Sequence, residues 1–103
     1  MADYGSQTFL NEKINLPHTN FRVGVVTALW NTEITSKLKT GALSTLVDAG
    51  IPIENIKLWD VPGSYELIYG ANKLAIDGYD AVICLGVVIQ GETRHFDFIC
   101  DAV

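Results

Sequence analysis

From residue 22 onward, apolar runs and polar turns alternate along the chain with a regular beat. The run RVGVVTAL, Arg22 to Leu29, places apolar side chains at successive rather than alternate positions, as a parallel strand covered on both faces requires. Asn31 or Thr32 then supplies a helix cap, with Glu33 at the positive end. Ile34, Leu38, Ala42 and Leu46 recur at every fourth position as one apolar stripe. Gly50 is placed to end that helix, and Pro52 prevents its continuation. The cycle repeats with a strand over Ile56 to Val61, broken by Pro62 and Gly63. A helix follows from about Ser64 to Asp77, with Leu67, Ala71, Leu74 and Ala75 inward and Gly78 closing it. DAVICLGVV, Asp80 to Val88, reads as a third buried strand, and HFDFICDAV opens a third helix.

Three strand–helix alternations with short connections define an α/β fold with a central parallel sheet and right-handed crossovers. Residues 1–20 are weakly patterned and read as an N-terminal arm, with a short strand around Thr8 to Leu10 and an exposed His18. The domain itself occupies residues 21–103. Its last helix has neither a capping glycine nor a basic final turn, so the fold reads as unfinished.

Composition narrows the function classes. A chain of 103 residues is one domain at most, yet 49% of its residues are hydrophobic. That is more than a core of this size absorbs, which points to burial against other subunits. The net charge is −5, with no basic stripe, so nucleic acid is not an expected partner. No CxxC or HxxxH pair suggests a metal, and Cys84 and Cys100 read as buried free thiols. MADYGSQTFLNEK lacks the features of a secretory signal, and no apolar run reaches membrane-spanning length. The expected setting is cytoplasmic, with no membrane partner.

Ligands of open parallel sheets bind beyond the carboxyl ends of the strands. Three loops of this chain lie there: Trp30-Asn31, Pro62-Gly63-Ser64-Tyr65-Glu66, and Gly91-Glu92-Thr93-Arg94-His95. In the third, Gly91 permits a positive φ, and the amides of Glu92 and Thr93 then face the mouth of the following helix, where an anion such as phosphate is favoured. His95, in the first helical turn, is placed to carry a proton beside it. On spacing alone an ordinary strand-to-helix turn, with a capping threonine and an exposed histidine, is the simpler account. Trp30 suits stacking on a flat heterocycle, and equally capping of the sheet edge. Asn31 reads first as a helix cap. Glu66 is a natural dipole partner, and with Ser64 could hold a polyhydroxylated chain. Trp59 reads as core or interface. Asp97, two positions from His95 on a helix, points elsewhere.

The succession of Trp30-Asn31 with ITSKL, then VPGSYEL, then GVVIQGETRHFDF closely resembles the 6,7-dimethyl-8-ribityllumazine synthase family, from about Phe21 to Val103. That resemblance implies a flavodoxin-like, three-layer α/β/α fold. It also implies a cofactor-independent condensation of 5-amino-6-(D-ribitylamino)uracil with 3,4-dihydroxy-2-butanone 4-phosphate in riboflavin biosynthesis. Carried over by position, Trp30 matches the aromatic on the pyrimidine. Asn31 accompanies it, and Ser64, Tyr65 and Glu66 match the ribityl-binding segment. Val87, Val88 and Ile89 match the strand end at the pyrimidine edge. Gly91, Glu92 and Thr93 match the phosphate turn, and His95 matches the proton-transfer histidine. Arg94 matches no assigned role.

The resemblance further implies homo-oligomers, as pentamers or 60-mers, with sites between neighbours. A final strand, two further helices, a phosphate-clamping arginine and an aromatic over the pyrimidine would all have to come from beyond these residues, for instance from a second polypeptide. The alternative from another class is a non-catalytic assembly subunit or split fragment of such a ring or cage. With its sheet edge and apolar face uncovered, the isolated 1–103 chain is expected to be unstable or to aggregate. A cooperative, monomeric transition in a circular dichroism melt would refute this.

Overall fold

All six residues of the strand β1, Val23–Ala28, are buried, and the described elements are arranged around it. The computed structural model describes residues 20–103; the suggested strand around Thr8 to Leu10 and His18 lie outside them. After β1 come α1 (Thr32–Asp48), a short 3₁₀ turn (Ile53–Asn55), β2 (Ile56–Val61), α2 (Glu66–Ile76), β3 (Ala81–Leu85) and α3 (His95–Ala102). The sheet has the order β2-β1-β3 and is parallel throughout, so the α/β class is as the pattern predicts. The reversal of strand order around β1 is the start of a doubly wound, flavodoxin-like sheet.

Alternate residues of β1 serve opposite faces. Val26 and Ala28 join Leu67 and Leu74 of α2 and Val61 of β2 in one buried cluster. Val23, Val25 and Thr27 point to the other face. The crossovers through α1 and α2 step in opposite directions along the sheet, and right-handedness then puts these helices on opposite sides. Each fully buried valine contributes about 1.5–3 kcal/mol.

Both long helices end alike. Gly50 and Gly78 adopt φ of 105° and 92°, which a side chain would resist. Gly50 N–H donates to the carbonyl of Val47 and Ile51 N–H to that of Leu46; Gly78 N–H and Tyr79 N–H do the same to Ala75 and Leu74. These paired bonds are Schellman motifs; the first turns the chain into the 3₁₀ turn ahead of β2 and the second into β3. A clasp sets β3 against β1. Arg22 N–H donates to Asp80 Oδ2 at 2.8 Å, Asp80 N–H donates back to the Arg22 carbonyl at 2.8 Å, and the Arg22 guanidinium lies 4.1 Å from the centre of the Tyr79 ring.

Several faces differ from the pattern-based expectation. Ile34 and Leu38 are 42% and 43% exposed, whereas Thr35 and Ala49 are buried; the helix presents the flank of its apolar stripe to the sheet. On α2, Ala75 is exposed and Gly70 is buried instead. The third strand stops at Leu85 rather than Val88, because β1, its one partner among the described residues, ends opposite Gly86. Among the described residues it is an edge strand, and Ala81 and Cys84 are exposed rather than buried. Both cysteines are free and exposed. Partial packing still pushes the Cys84 thiol above its ordinary pKa, which keeps it a weak nucleophile. Trp59 is half-buried against the core and meets Tyr69 edge-on, with ring centres 6.2 Å apart. Among the described residues no helix is long and apolar enough to cross a membrane.

Gly70 lets α2 approach the sheet closely: a Cβ there would lie 2.7 Å from Cγ1 of Val26. Alanine would gain about 1 kcal/mol of helix propensity, but overpacking costs about 1–3 kcal/mol. Val26 is fully buried and β-branched, so it has no free rotamer to take up. Gly70→Ala is expected to lower stability by up to about 2 kcal/mol in urea unfolding. A more stable variant would mean that the helix can shift off the sheet without loss.

Candidate functional site

The backbone beyond β1 does not leave the sheet at once. Leu29 N–H donates to the Val61 carbonyl at 2.7 Å and Trp30 N–H to that of Pro62 at 3.0 Å, so the strand pairing runs on into the loops. Asn31 then turns sharply into α1 with φ 63° and ψ 55°, the one non-glycine residue with positive φ among those described. Its carbonyl accepts from Ile34 N–H and Thr35 N–H, but its side chain makes no capping bond. The expected cap is thus made by the Asn31 backbone, not its amide. Thr32 Oγ1 donates to the Leu29 carbonyl at 2.5 Å and tightens the same turn.

The second loop is held by its own glutamate. Glu66 Oε1 accepts from Gly63 N–H at 2.9 Å, so a first-turn carboxylate satisfies a free amide three residues earlier. Because Ser64 and Tyr65 belong to this turn, α2 starts at Glu66 rather than Ser64. Ser64 Oγ reaches across to the Val87 carbonyl at 3.5 Å. In the third loop Thr93 Oγ1 accepts from His95 N–H at 3.3 Å, a local turn ahead of the helix, whose N-cap position is Arg94 and carries no side-chain capping bond. Gly91 does not adopt the positive φ expected of it.

Between the three loops lies a cleft of about 460 Å³, lined by Trp30, the turn Pro62 to Glu66, the segment Val87 to Ile89, and His95 with Phe96 and Ile99 of α3. Trp30, Ser64, Tyr65, Glu66, Val87, Val88, Ile89 and His95 were all candidates from the sequence, and the fold brings them to one place. Asn31, Gly91, Glu92 and Thr93 do not line the cleft; Asn31 sits behind Trp30, and the other three are exposed just before His95. Phe96 and Ile99 were not singled out by pattern. With His95 they form an i, i+1, i+4 set on the first turns of α3, a spacing that could have marked them. Neither lysine nor arginine lines the cleft. Arg94 is turned away, 80% exposed, with Nε 4.0 Å from Asp97 Oδ2. Among the described residues no group of His, Cys, Asp and Glu is arranged to hold a metal ion.

An aromatic at one strand end, a carboxylate-braced turn at the second and a histidine above the third make this cleft the candidate small-molecule site of a doubly wound α/β fold. Comparison with known proteins narrows the class. The sequence model of the 6,7-dimethyl-8-ribityllumazine synthase family matches residues 20–103. A 6,7-dimethyl-8-ribityllumazine synthase of Cytophaga hutchinsonii is 58% identical over 99% of this chain and 64% of its own length. Those of Flavobacterium johnsoniae and Christiangramia forsetii are 47% and 45% identical over all of this chain, and over 52% and 63% of their own. The chain belongs to the 6,7-dimethyl-8-ribityllumazine synthase family, and it spans about half to two-thirds of the length of these relatives.

The left-handed turn at Asn31 can be tested directly. Glycine adopts that conformation freely, whereas a Cβ costs about 1–2 kcal/mol there. Asn31→Gly is expected to be close to neutral in a thermal melt, and Asn31→Ala to lower stability by about 1 kcal/mol. Equal melting of the two variants would mean that the turn relaxes out of the left-handed region.

Proposed function

We propose that this chain contributes the pyrimidine-binding side of a lumazine synthase active site. The reaction joins 5-amino-6-(D-ribitylamino)uracil to 3,4-dihydroxy-2-butanone 4-phosphate and yields 6,7-dimethyl-8-ribityllumazine, phosphate and water. The observation that carries the reading is the convergence of Trp30, Ser64, Glu66, Val87 to Ile89 and His95 on one cleft in a chain of this family.

On this reading Trp30, half exposed at the cleft wall, stacks on the pyrimidine, and the backbone of Val87, Val88 and Ile89 bonds its edge. These residues lie past the end of β3; the Val87 carbonyl already accepts from Ser64 Oγ, which leaves the Val87 amide and the backbone of Val88 and Ile89 for that edge. Ser64, Tyr65 and Glu66 receive the ribityl hydroxyls; Glu66 keeps its second carboxylate oxygen for them while the first braces Gly63. Gly91, Glu92 and Thr93 receive the phosphate ahead of α3, with Asn31 as the backbone support of Trp30. His95 carries protons as the amine attacks the ketone, as phosphate leaves, and as the ring closes. Holding two mutually reactive substrates in register supplies much of the acceleration.

A phosphate ester needs a countercharge, and the lining residues include no lysine or arginine. We infer that this cation, and the surface that covers the pyrimidine, come from outside the described residues. A neighbouring subunit of a cytoplasmic homo-oligomer, pentamer or 60-mer, is the source this reading favours. The exposed apolar side chains Ile34, Leu38 and Phe98 support burial against such neighbours.

The fluorescence of the lumazine product gives a direct assay. In the assembled protein His95→Ala is expected to lower turnover by about 10²-fold or more at neutral pH, with the affinity for ribitylaminouracil little changed. Equal rates in the two proteins would remove His95 from the chemistry.

A further inference from the structure

Gly86 is the first residue past β3, and its φ is not positive, so backbone freedom does not explain it. Its surroundings do. A Cβ at this position would lie 3.0 Å from Leu67 Cδ1, 3.0 Å from Ser64 Oγ and 3.6 Å from Ala28 Cβ. The end of β1, the first turn of α2 and the Pro62–Glu66 turn therefore meet over one missing side chain.

The three neighbours are not equally free to retreat. Ala28 is 1% exposed and Leu67 5% exposed, and both belong to the cluster around Val26. Ser64 is only half-buried and is the partner that can move. A methyl at residue 86 would displace its hydroxyl by a few tenths of an ångström, away from the Val87 carbonyl that it now reaches at 3.5 Å. The displacement passes along the turn, because Gly63 and Glu66 are tied to each other. We propose that Gly86 is a positioning residue: by lacking a side chain it lets Ser64 close on Val87, and so sets the spacing between the ribityl-facing turn and the pyrimidine-facing strand end. This rests on the lumazine synthase reading of the cleft. The turn Gly91–Thr93 lies outside this contact and is not governed by it.

The test is a double-variant cycle of Gly86→Ala and Ser64→Ala in the full chain as it assembles, read by steady-state kinetics and by thermal melts. Gly86→Ala is expected to raise KM for 5-amino-6-(D-ribitylamino)uracil about 10-fold. KM for the butanone phosphate and kcat at saturation should stay within about twofold. In the Ser64→Ala background, where the colliding hydroxyl is gone, adding Gly86→Ala should change the uracil KM less than about twofold. A parallel rise in both KM values, or independent and additive effects of the two substitutions, would overturn the proposal. The melts speak separately from activity: Gly86→Ala should lower Tm, and Ser64→Ala should recover part of that loss. If the unsubstituted protein turns over neither substrate, the lumazine synthase reading fails. Additive Tm shifts would then overturn the contact itself, and coupled shifts would uphold the Gly86–Ser64 lock as a feature of the cleft.

Discussion

β1 has no side turned to water. Both of its edges are paired, to β2 and to β3, and both of its faces are covered, so all six residues are buried. β2, β3, α1 and α2 are each positioned by meeting it: α2 lies close because Gly70 admits Val26, and β3 is registered by the clasp between Arg22 and Asp80. A strand enclosed in this way cannot slip by one residue, since that would exchange the sets facing α1 and α2. The buried apolar area and the hydrogen-bonded ladder therefore fix one arrangement.

The cleft is a consequence of that arrangement rather than an addition to it. Parallel strands deliver all three of their carboxyl ends to one edge, and the loops that leave them must share the space above it. The central strand contributes Trp30, which is kept at the sheet edge by the continued pairing of Leu29 and Trp30 to Val61 and Pro62. β2 contributes a turn stiffened from within by Glu66. β3 contributes a segment that runs past the end of β1, its partner among the described residues, and is held to the second loop by Ser64 at the Val87 carbonyl. The polar chemistry is thus borne by short, braced loops on a rigid sheet, where side chains can be placed to within fractions of an ångström.

How much of this was legible in the sequence depended on the range of the interaction. Gly50 and Gly78 mark helix ends through bonds to residues only a few positions away, and they were readable as such. The convergence of Trp30, Glu66 and His95 followed from topology, which needs only the order of the elements. Orientation within a helix was less legible. Ile34 and Leu38 looked inward by spacing but face outward, and Gly70 rather than Ala75 faces the sheet, because distant residues choose between two acceptable helix faces. The burial of β3 was overread for a related reason: its apolar run does not say how many neighbours it has. Phe96 and Ile99 escaped notice because a cleft wall and a core face have the same composition. Gly91 was expected to use a freedom it does not use.

The clasp between residues 22 and 80 has a bearing on how the chain is made. Val23 lies opposite Ile56 on one side and opposite Ala81 on the other, so the second pairing must await residues synthesised much later. Loop-closure entropy hardly separates the two events, as doubling a loop costs only about 0.6 kcal/mol. Time does separate them: at about 5–20 residues per second, β1 spends seconds on the ribosome with one edge open. For that interval β1 has α1 and β2 as its cover on one face and one edge, while the edge that β3 will take has no partner among the described elements made so far.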